Sequence, residues 1–263
     1  MGSHDRIPLL PDRPRPLVFA HRGCSSLAPE NTMAAFRLAR DLGAPGLELD
    51  VHVCATGELV VAHDDTLNGR DIGELTLAEI RRIDVGSGER PPLLEEVLEE
   101  FCPGIYIDIE LKSRKIRNDP LPGPVAETLR SFGDRTKNAV TVSSFNPFCL
   151  AAFKRLCPQC SAAIIWSADS EVPFILRYGL GRFLAPCDYV KPVYTQVSPR
   201  SYRRMACGEG RPLVPWVLDD PVTARRMLDM GCEGIITNRP QDMGIERLDH
   251  FEKSLLKSLK SAR

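Results

Sequence analysis

The sequence lacks several things, and each absence removes a class of protein. No apolar run approaches the roughly 20 residues that a membrane span needs. Net charge is nearly absent, with 34 Lys and Arg against 35 Asp and Glu, so composition gives no general affinity for nucleic acid or anionic membrane. The first 16 residues lack the apolar stretch of a signal peptide. They are rich in proline and arginine and read as a flexible N-terminal segment. No repeat, low-complexity tract or linker divides the rest, so 17–263 reads as one domain. The nine cysteines lack the even, spaced pattern of a disulfide framework. They read as free thiols in a reducing compartment, which sets a cytoplasmic expectation. Cys157 and Cys160 have motif spacing, but no second such pair and no histidine pair completes a zinc set. A structural role is expected there.

What the chain does have is alternation of short apolar runs with helical patterns. Strands are expected at 17–20, 46–53, 104–111, 139–143, 161–166, 189–193, 213–218 and 234–237. Helices are expected between them, at 31–42, 93–101, 123–131, 147–156, 198–206 and 221–230, with a helical turn or two at 172–178. Such alternation implies a parallel sheet. Eight units of this size suggest an α/β fold of the closed (β/α)8 TIM-barrel kind, with a doubly wound open sheet as the alternative.

Charge sits where a buried strand should have little. Residues 47–52 read Leu-Glu-Leu-Asp-Val-His and 105–112 read Ile-Tyr-Ile-Asp-Ile-Glu-Leu-Lys. Period two places Glu48, Asp50 and His52 on one face, and Asp108, Glu110 and Lys112 on one face. Strands of parallel sheets are normally apolar on both sides. Unpaired buried carboxylates are very costly, and their natural counterion is a hard divalent cation.

After the second strand, Cys54-Ala-Thr-Gly57 is a turn signal and 58–63 is again strand-like. Too few residues intervene for a crossover helix, so the pair must be antiparallel. Paired residues should sum to about 111–113, which folds His63 back onto Glu48 and Asp50. In a barrel the site forms at the C-terminal strand ends. His21 and Arg22 end the first strand, and Glu110 and Lys112 end the third. Two imidazoles, three carboxylates, a guanidinium and an ammonium thus meet on one rim and suit a phosphate ester.

Several pieces then stand in a familiar order: His21-Arg22-Gly23, Pro29-Glu30-Asn31-Thr32, Glu48-Leu-Asp50-Val-His52, Val60-Val-Ala-His63-Asp64, Glu110-Leu-Lys112, Ser143-Ser-Phe145, Trp216 and Gly234-Ile-Ile-Thr-Asn238-Arg-Pro240. From about 17 to 241 the chain resembles the glycerophosphodiester phosphodiesterase family. The resemblance implies a (β/α)8 barrel, a divalent cation (Mg²⁺ or Ca²⁺), and hydrolysis of glycerophosphodiesters to glycerol 3-phosphate and an alcohol. It implies acid–base roles for His21 and His63, and metal ligation by Glu48, Asp50 and Glu110. Arg22 and Lys112 would hold phosphate, and Trp216 would line the glycerol or alcohol side. Glu30, Asn31 and His52 would brace the site from behind, Glu30 and Asn31 possessing also the chemistry of a cap for the first helix.

The sequence departs from the family between the His63 hairpin and the strand carrying Glu110. There 67–73 reads Leu-Asn-Gly-Arg-Asp-Ile-Gly in place of an arginine-and-threonine run, and 64–92 is a short insertion. A small cap of this kind could admit a bulky alcohol, so a lysophospholipase D-type reaction on lysophospholipids is an alternative. A non-catalytic phosphodiester-binding barrel is another. At the end of the chain, 251–263 carries Leu255, Leu256 and Leu259 among lysines. Packing as the last barrel helix is favoured there over membrane contact. The expected partner is a small glycerophosphodiester, not nucleic acid, and oligomeric state is left open.

Overall fold

Seven parallel strands curl around a common axis in the computed structural model, which describes residues 10, 11, 13, 15–113 and 115–244. The first is β1 (Leu17–His21), followed by α1 (Met33–Asp41), β2 (Gly46–Val53) and its antiparallel return β3 (Leu59–Val61). The 64–92 stretch holds a two-stranded ribbon, β4 (Thr66–Leu67) with β5 (Arg70–Asp71), and one turn of helix, α2 (Leu77–Ile80). Then come α3 (Leu94–Phe101), β6 (Tyr106–Leu111), α4 (Pro122–Phe132), β7 (Val140–Ser144) and α5 (Pro147–Leu156). The last third holds β8 (Ser161–Trp166), β9 (Tyr189–Pro192), α6 (Pro199–Tyr202), α7 (Pro221–Asp229) and β10 (Gly234–Thr237).

The parallel order is β10-β1-β2-β6-β7-β8-β9. The gap between β9 and β10 is filled by 212–218, expected above as a regular strand. It is extended and bonded to both β9 and β10, with gaps at its prolines, and it also accepts from Val190, Tyr194 and Glu233 N–H at Pro212, Trp216 and Leu213. Val214 and Trp216 N–H donate to the Val190 and Pro192 carbonyls, while Ile236 N–H donates to Pro215 and Leu218 N–H to Ile236. Pro212 and Pro215 have no N–H to offer, which interrupts the ladder. The barrel closes all the same, as a (β/α)8 fold. The fifth unit also departs from regularity. Between β8 and β9 short 3-10 turns at Phe174–Leu176 and Leu180–Phe183 stand in for a helix, because Pro173, Gly179 and Gly181 interrupt any longer run.

The helices start where capping chemistry dictates. Thr32, not Asn31, caps α1, accepting from Ala35 N–H at 3.2 Å, a contact typically contributing about 1 kcal/mol. Asn146 and Asp220 cap α5 and α7, each followed by a proline at the first helical position.

Inward-facing residues change character up the barrel axis. The floor is apolar: Leu17, Phe19, Tyr106, Tyr189, Val214 and Ile236 pack together, joined by Leu10 from the segment read above as a flexible extension. Gly46 makes room for this layer, since a Cβ there would lie 1.8 Å from the Tyr106 ring. One pleat higher the inward residues are Glu48, Asp108, Ser143 and Lys191, all buried. The next layer is the rim. The 64–92 segment forms its own small core over the hairpin through Ile72, Leu75 and Ile80. The C-terminal segment 251–263, including its leucine stripe, lies outside the described residues. No helix among the described residues is long and apolar enough to cross a membrane.

Candidate active site

Strand register alone brings the charged residues together. His21 pairs with Glu48 across β1 and β2, and Glu48 with Asp108 and Asp50 with Glu110 across β2 and β6. The returning hairpin pairs Val51 with Val61 and His52 with Val60, sums of 112 within the expected window. Continuing that register carries His63 to the mouth, close enough to Asp50, like His21, for either imidazole to favour its carboxylate when protonated.

Glu48, Asp50 and Glu110 each offer an oxygen lying within 4.8 Å of the others, and all three are buried. Cations surround them. Lys112 Nζ lies 2.8 Å from Glu110 Oε1 and 3.1 Å from Asp50 Oδ1. Arg22 Nε lies 3.2 Å from Asp50 Oδ2, while its Nη1 reaches both Glu30 oxygens at 3.0 Å. Arg22 turns into the left-handed region, φ 55°, and its N–H donates to Glu48 Oε2. Gly23 follows at φ 82°, where a Cβ would meet the Ala35 backbone at 2.7 Å. That explains the third residue of His-Arg-Gly. Asn31, also left-handed, donates from Nδ2 to Asp50 Oδ2 at 2.8 Å. It thus holds one of the Asp50 oxygens from behind the cluster.

The electrostatics are uneven. Burial, then repulsion from Asp50, pushes Glu48 well above the usual carboxylate range. Burial acts on Asp50 as well, but the Lys112 and Arg22 cations overcome it and hold that carboxyl low. Burial would lower Lys112, yet Glu110 and Asp50 raise it. Asp50 Oδ1 is buried with the Lys112 ammonium as its neighbour. A hard, buried, oxygen-only donor set with one carboxylate forced upward fits a divalent cation, whose charge favours all three in the ionised form.

The two imidazoles are held from outside. His21 Nδ1 lies 2.7 Å from Asn238 Oδ1, and Asn238 Nδ2 donates to Asp219 Oδ2 at 2.8 Å. Because the Asn238 amide is committed to Asp219, its oxygen accepts and His21 Nδ1 carries the proton. The free Nε2 lies 3.8 Å from Glu48 Oε2. Burial, and after it Arg22, lowers the His21 pKa to about 4, so the ring is neutral at neutral pH. His63 Nδ1 lies 2.8 Å from Asp64 Oδ1, leaving its Nε2 free. His52 sits on the hairpin, with Nε2 3.3 Å from the His63 carbonyl oxygen. It contacts the backbone of His63 rather than the carboxylates.

Beneath the cluster lies a pair half-read from the sequence. Asp108 shares the inward face of Glu110 one pleat deeper, and its partner is Lys191 of β9 at 2.9 Å. Ser143 Oγ bridges them, accepting from Lys191 and donating to Asp108. Trp216 is half-buried, donates from Nε1 to the Lys191 carbonyl and meets Phe145 edge-on at 5.6 Å. Lys191, Asn238 and Asp219 escaped assignment from sequence. For Lys191 the usable signal was its period-two relation to Tyr189; Asn238 stood inside a motif already singled out. A cleft of about 700 Å³ between α1 and α3 lies away from this chemistry, and its Arg37 and Arg81 are already paired with Glu100 and Glu96. Cys157 and Cys160 join no metal cluster among the described residues.

Imidazoles set over carboxylates and cations suit the breaking of a phosphate ester by proton transfer, and the molecule is a phosphoric diester hydrolase. Residues 21–242 match the model of the glycerophosphoryl diester phosphodiesterase family, and the chain belongs to that family. A glycerophosphodiester phosphodiesterase from Caldanaerobacter subterraneus subsp. tengcongensis is 32% identical over 241 residues, 86% of this chain and 96% of that protein. Glycerophosphodiester phosphodiesterase 1 of Rattus norvegicus is 34% identical, over 73% of this chain and 71% of its own. Among solved structures, an Oleispira antarctica phosphodiesterase in complex with the product sn-glycerol-3-phosphate superposes with a TM-score of 0.73, at 25% identity, covering 87% of this chain and 95% of that one.

Proposed function

We propose that the chain hydrolyses glycerophosphodiesters to glycerol 3-phosphate and an alcohol, with one histidine acting as base and the other as acid. The observation that carries this reading is the placement of two differently held imidazoles around one buried carboxylate cluster. His21 is neutral, with Nε2 unprotonated, and takes the proton from the attacking hydroxyl. His63, held through Nδ1 by Asp64, gives a proton to the leaving alcohol. Glu48, Asp50 and Glu110 would hold Mg²⁺ or Ca²⁺, which when bound supplies a Lewis acid for a non-bridging phosphate oxygen. Arg22 presents forked donors to phosphate, Lys112 adds a point charge, and Trp216 lines the alcohol side. Glu30 and Asn31 orient Arg22 and Asp50. His52 supports the backbone at His63.

We further read 17–263 as one catalytic domain with 64–92 as a small cap. The nine unbridged cysteines support a reducing, cytoplasmic setting. The test is release of glycerol 3-phosphate from glycerophosphocholine with Mg²⁺ or Ca²⁺, abolished by EDTA. Turnover that is indifferent to EDTA would remove the metal from this account. Turnover that survives His21→Ala together with His63→Ala would remove the acid–base pair.

A further inference from the structure

Exposed apolar side chains gather on the mouth side of this barrel. Ile116 is 67% exposed in the loop after β6, and Phe148 is 45% exposed in the first turn of α5, after β7. Phe174, Ile175 and Tyr178 are 75%, 62% and 64% exposed in the segment after β8. These are three consecutive strands of the barrel, so the side chains form one arc of the rim. Hydrogen bonds tie the arc together. Asn146 Nδ2 donates to the Ser113 and Lys115 carbonyls, joining the β6 loop to the start of α5. Gln196, just past β9, donates to the Arg177 carbonyl, anchoring the β8 segment to the rim. Phe174 and Tyr178 meet edge-on at 6.5 Å, so neither is buried by the other.

Cations are interleaved with these tips. Lys115 and Arg117 flank Ile116 and are exposed. Arg177 stacks over Phe174 at 5.9 Å, with its donors on the Val172 and Ser170 carbonyls rather than on a carboxylate. The acidic residues of the same loops are Asp119, Asp169 and Glu171, and Asp119 is turned inward onto the Leu121 N–H. Single apolar side chains beside cations are the composition that inserts at a lipid headgroup boundary. A protein seated on this arc would obstruct the mouth. A lipid surface there would present phosphodiesters to it, and the small cap leaves no large lid between the two.

We propose that the arc of rim built by the loops after β6, β7 and β8 docks the enzyme on an anionic lipid surface, so that phosphodiester headgroups reach the site from that surface. The substrate half of this statement rests on the hydrolase reading above; the docking half does not.

The experiment is co-sedimentation of the full chain with phosphatidylcholine vesicles containing about 30 mol% phosphatidylglycerol, against vesicles of phosphatidylcholine alone. The wild type is expected to sediment with the anionic vesicles. Ile116→Ser with Phe174→Ser and Ile175→Ser should weaken that binding at least about tenfold, and Lys115→Glu with Arg117→Glu should do so separately. All five positions are exposed, so melting temperature and turnover of soluble glycerophosphocholine should be unchanged, while turnover of lysophosphatidylglycerol held in vesicles falls with binding. Absence of sedimentation, or sedimentation unchanged by either set of substitutions, overturns the docking face. A concentration-dependent dimer abolished by the serine substitutions would give the arc to a second copy of the chain and also overturn it. Sedimentation requires no turnover, so failure of the catalytic reading would leave a separate signature.

Discussion

Lys191 Nζ lies 2.9 Å from Asp108 Oδ2 beneath the carboxylate cluster, and both side chains are sealed from solvent. The pair separates the apolar floor from the charged rim. Its attraction compensates for desolvation only while both partners and the Ser143 bridge are present. Lys191→Met should therefore cost about 3–5 kcal/mol, read as a lower denaturant midpoint, because it strands Asp108. Lys191→Met with Asp108→Leu should recover much of that loss. A double variant no better than the single one would contradict this account of the pair.

The acid–base assignment predicts large losses without unfolding. His21→Ala and His63→Ala should each lower kcat about 10²–10⁴-fold. Melting temperatures should stay near wild type for His63→Ala, since that side chain is a third exposed. Steady-state kinetics beside thermal melts would check both statements.

Asn238 is expected to act through His21. Asn238→Ala frees the imidazole to rotate or change tautomer, and should lower kcat about 10–100-fold with a smaller change in KM. Asp219→Ala should produce a weaker version of the same split, because it releases the Asn238 amide. A loss confined to KM would place Asn238 in substrate binding instead.

The carboxylate cluster predicts metal-linked stability. Raising Mg²⁺ or Ca²⁺ to 100 times Kd should stabilise the folded chain by about 2.7 kcal/mol. Glu48→Gln and Glu110→Gln should abolish the shift in melting temperature. A shift that persists in both variants would move the cation elsewhere.

His21 also carries a pH signature in the metal-free protein. Its pKa falls from the ordinary imidazole value to about 4 on folding. Between those values the unfolded chain binds a proton that the folded chain does not, so stability declines as pH is lowered through that window. Below about 4 both states are protonated and this contribution ends. The loss is at most about 3 kcal/mol. His21→Asn should flatten the decline between pH 7 and 4.5 relative to wild type, in melts recorded with EDTA. Parallel profiles would exclude His21 as the source.

Much of this site was legible because strand periodicity is a strong physical constraint. Alternation alone put Glu48 with Asp50 and Asp108 with Glu110, and a short turn sufficed to bring back His63. What was illegible had to come from distant strands. Lys191 lies 83 residues from its partner, and only barrel closure brings β9 opposite β6. The His21–Asn238 contact spans the chain from β1 to the end of β10 for the same reason. The irregularity of 212–218 was readable in principle from Pro212 and Pro215, but an apolar run masked it. Asn31 looked like a helix cap because its chemistry allows that role; Thr32, one residue on, has the extended backbone a cap requires.

The proline-interrupted wall has a consequence for how this enzyme can change over generations. It carries Trp216, while the carboxylates and imidazoles stand mainly on β1, β2 and β6, whose ladders are continuous. A substitution that shifts the Trp216 wall disturbs its bonds to β9 and β10, not the β1–β2–β6 register that aligns Glu48, Asp50 and Glu110. With Trp216 on the alcohol side, as proposed above, selectivity for the alcohol can change without disturbing the register of the carboxylate cluster.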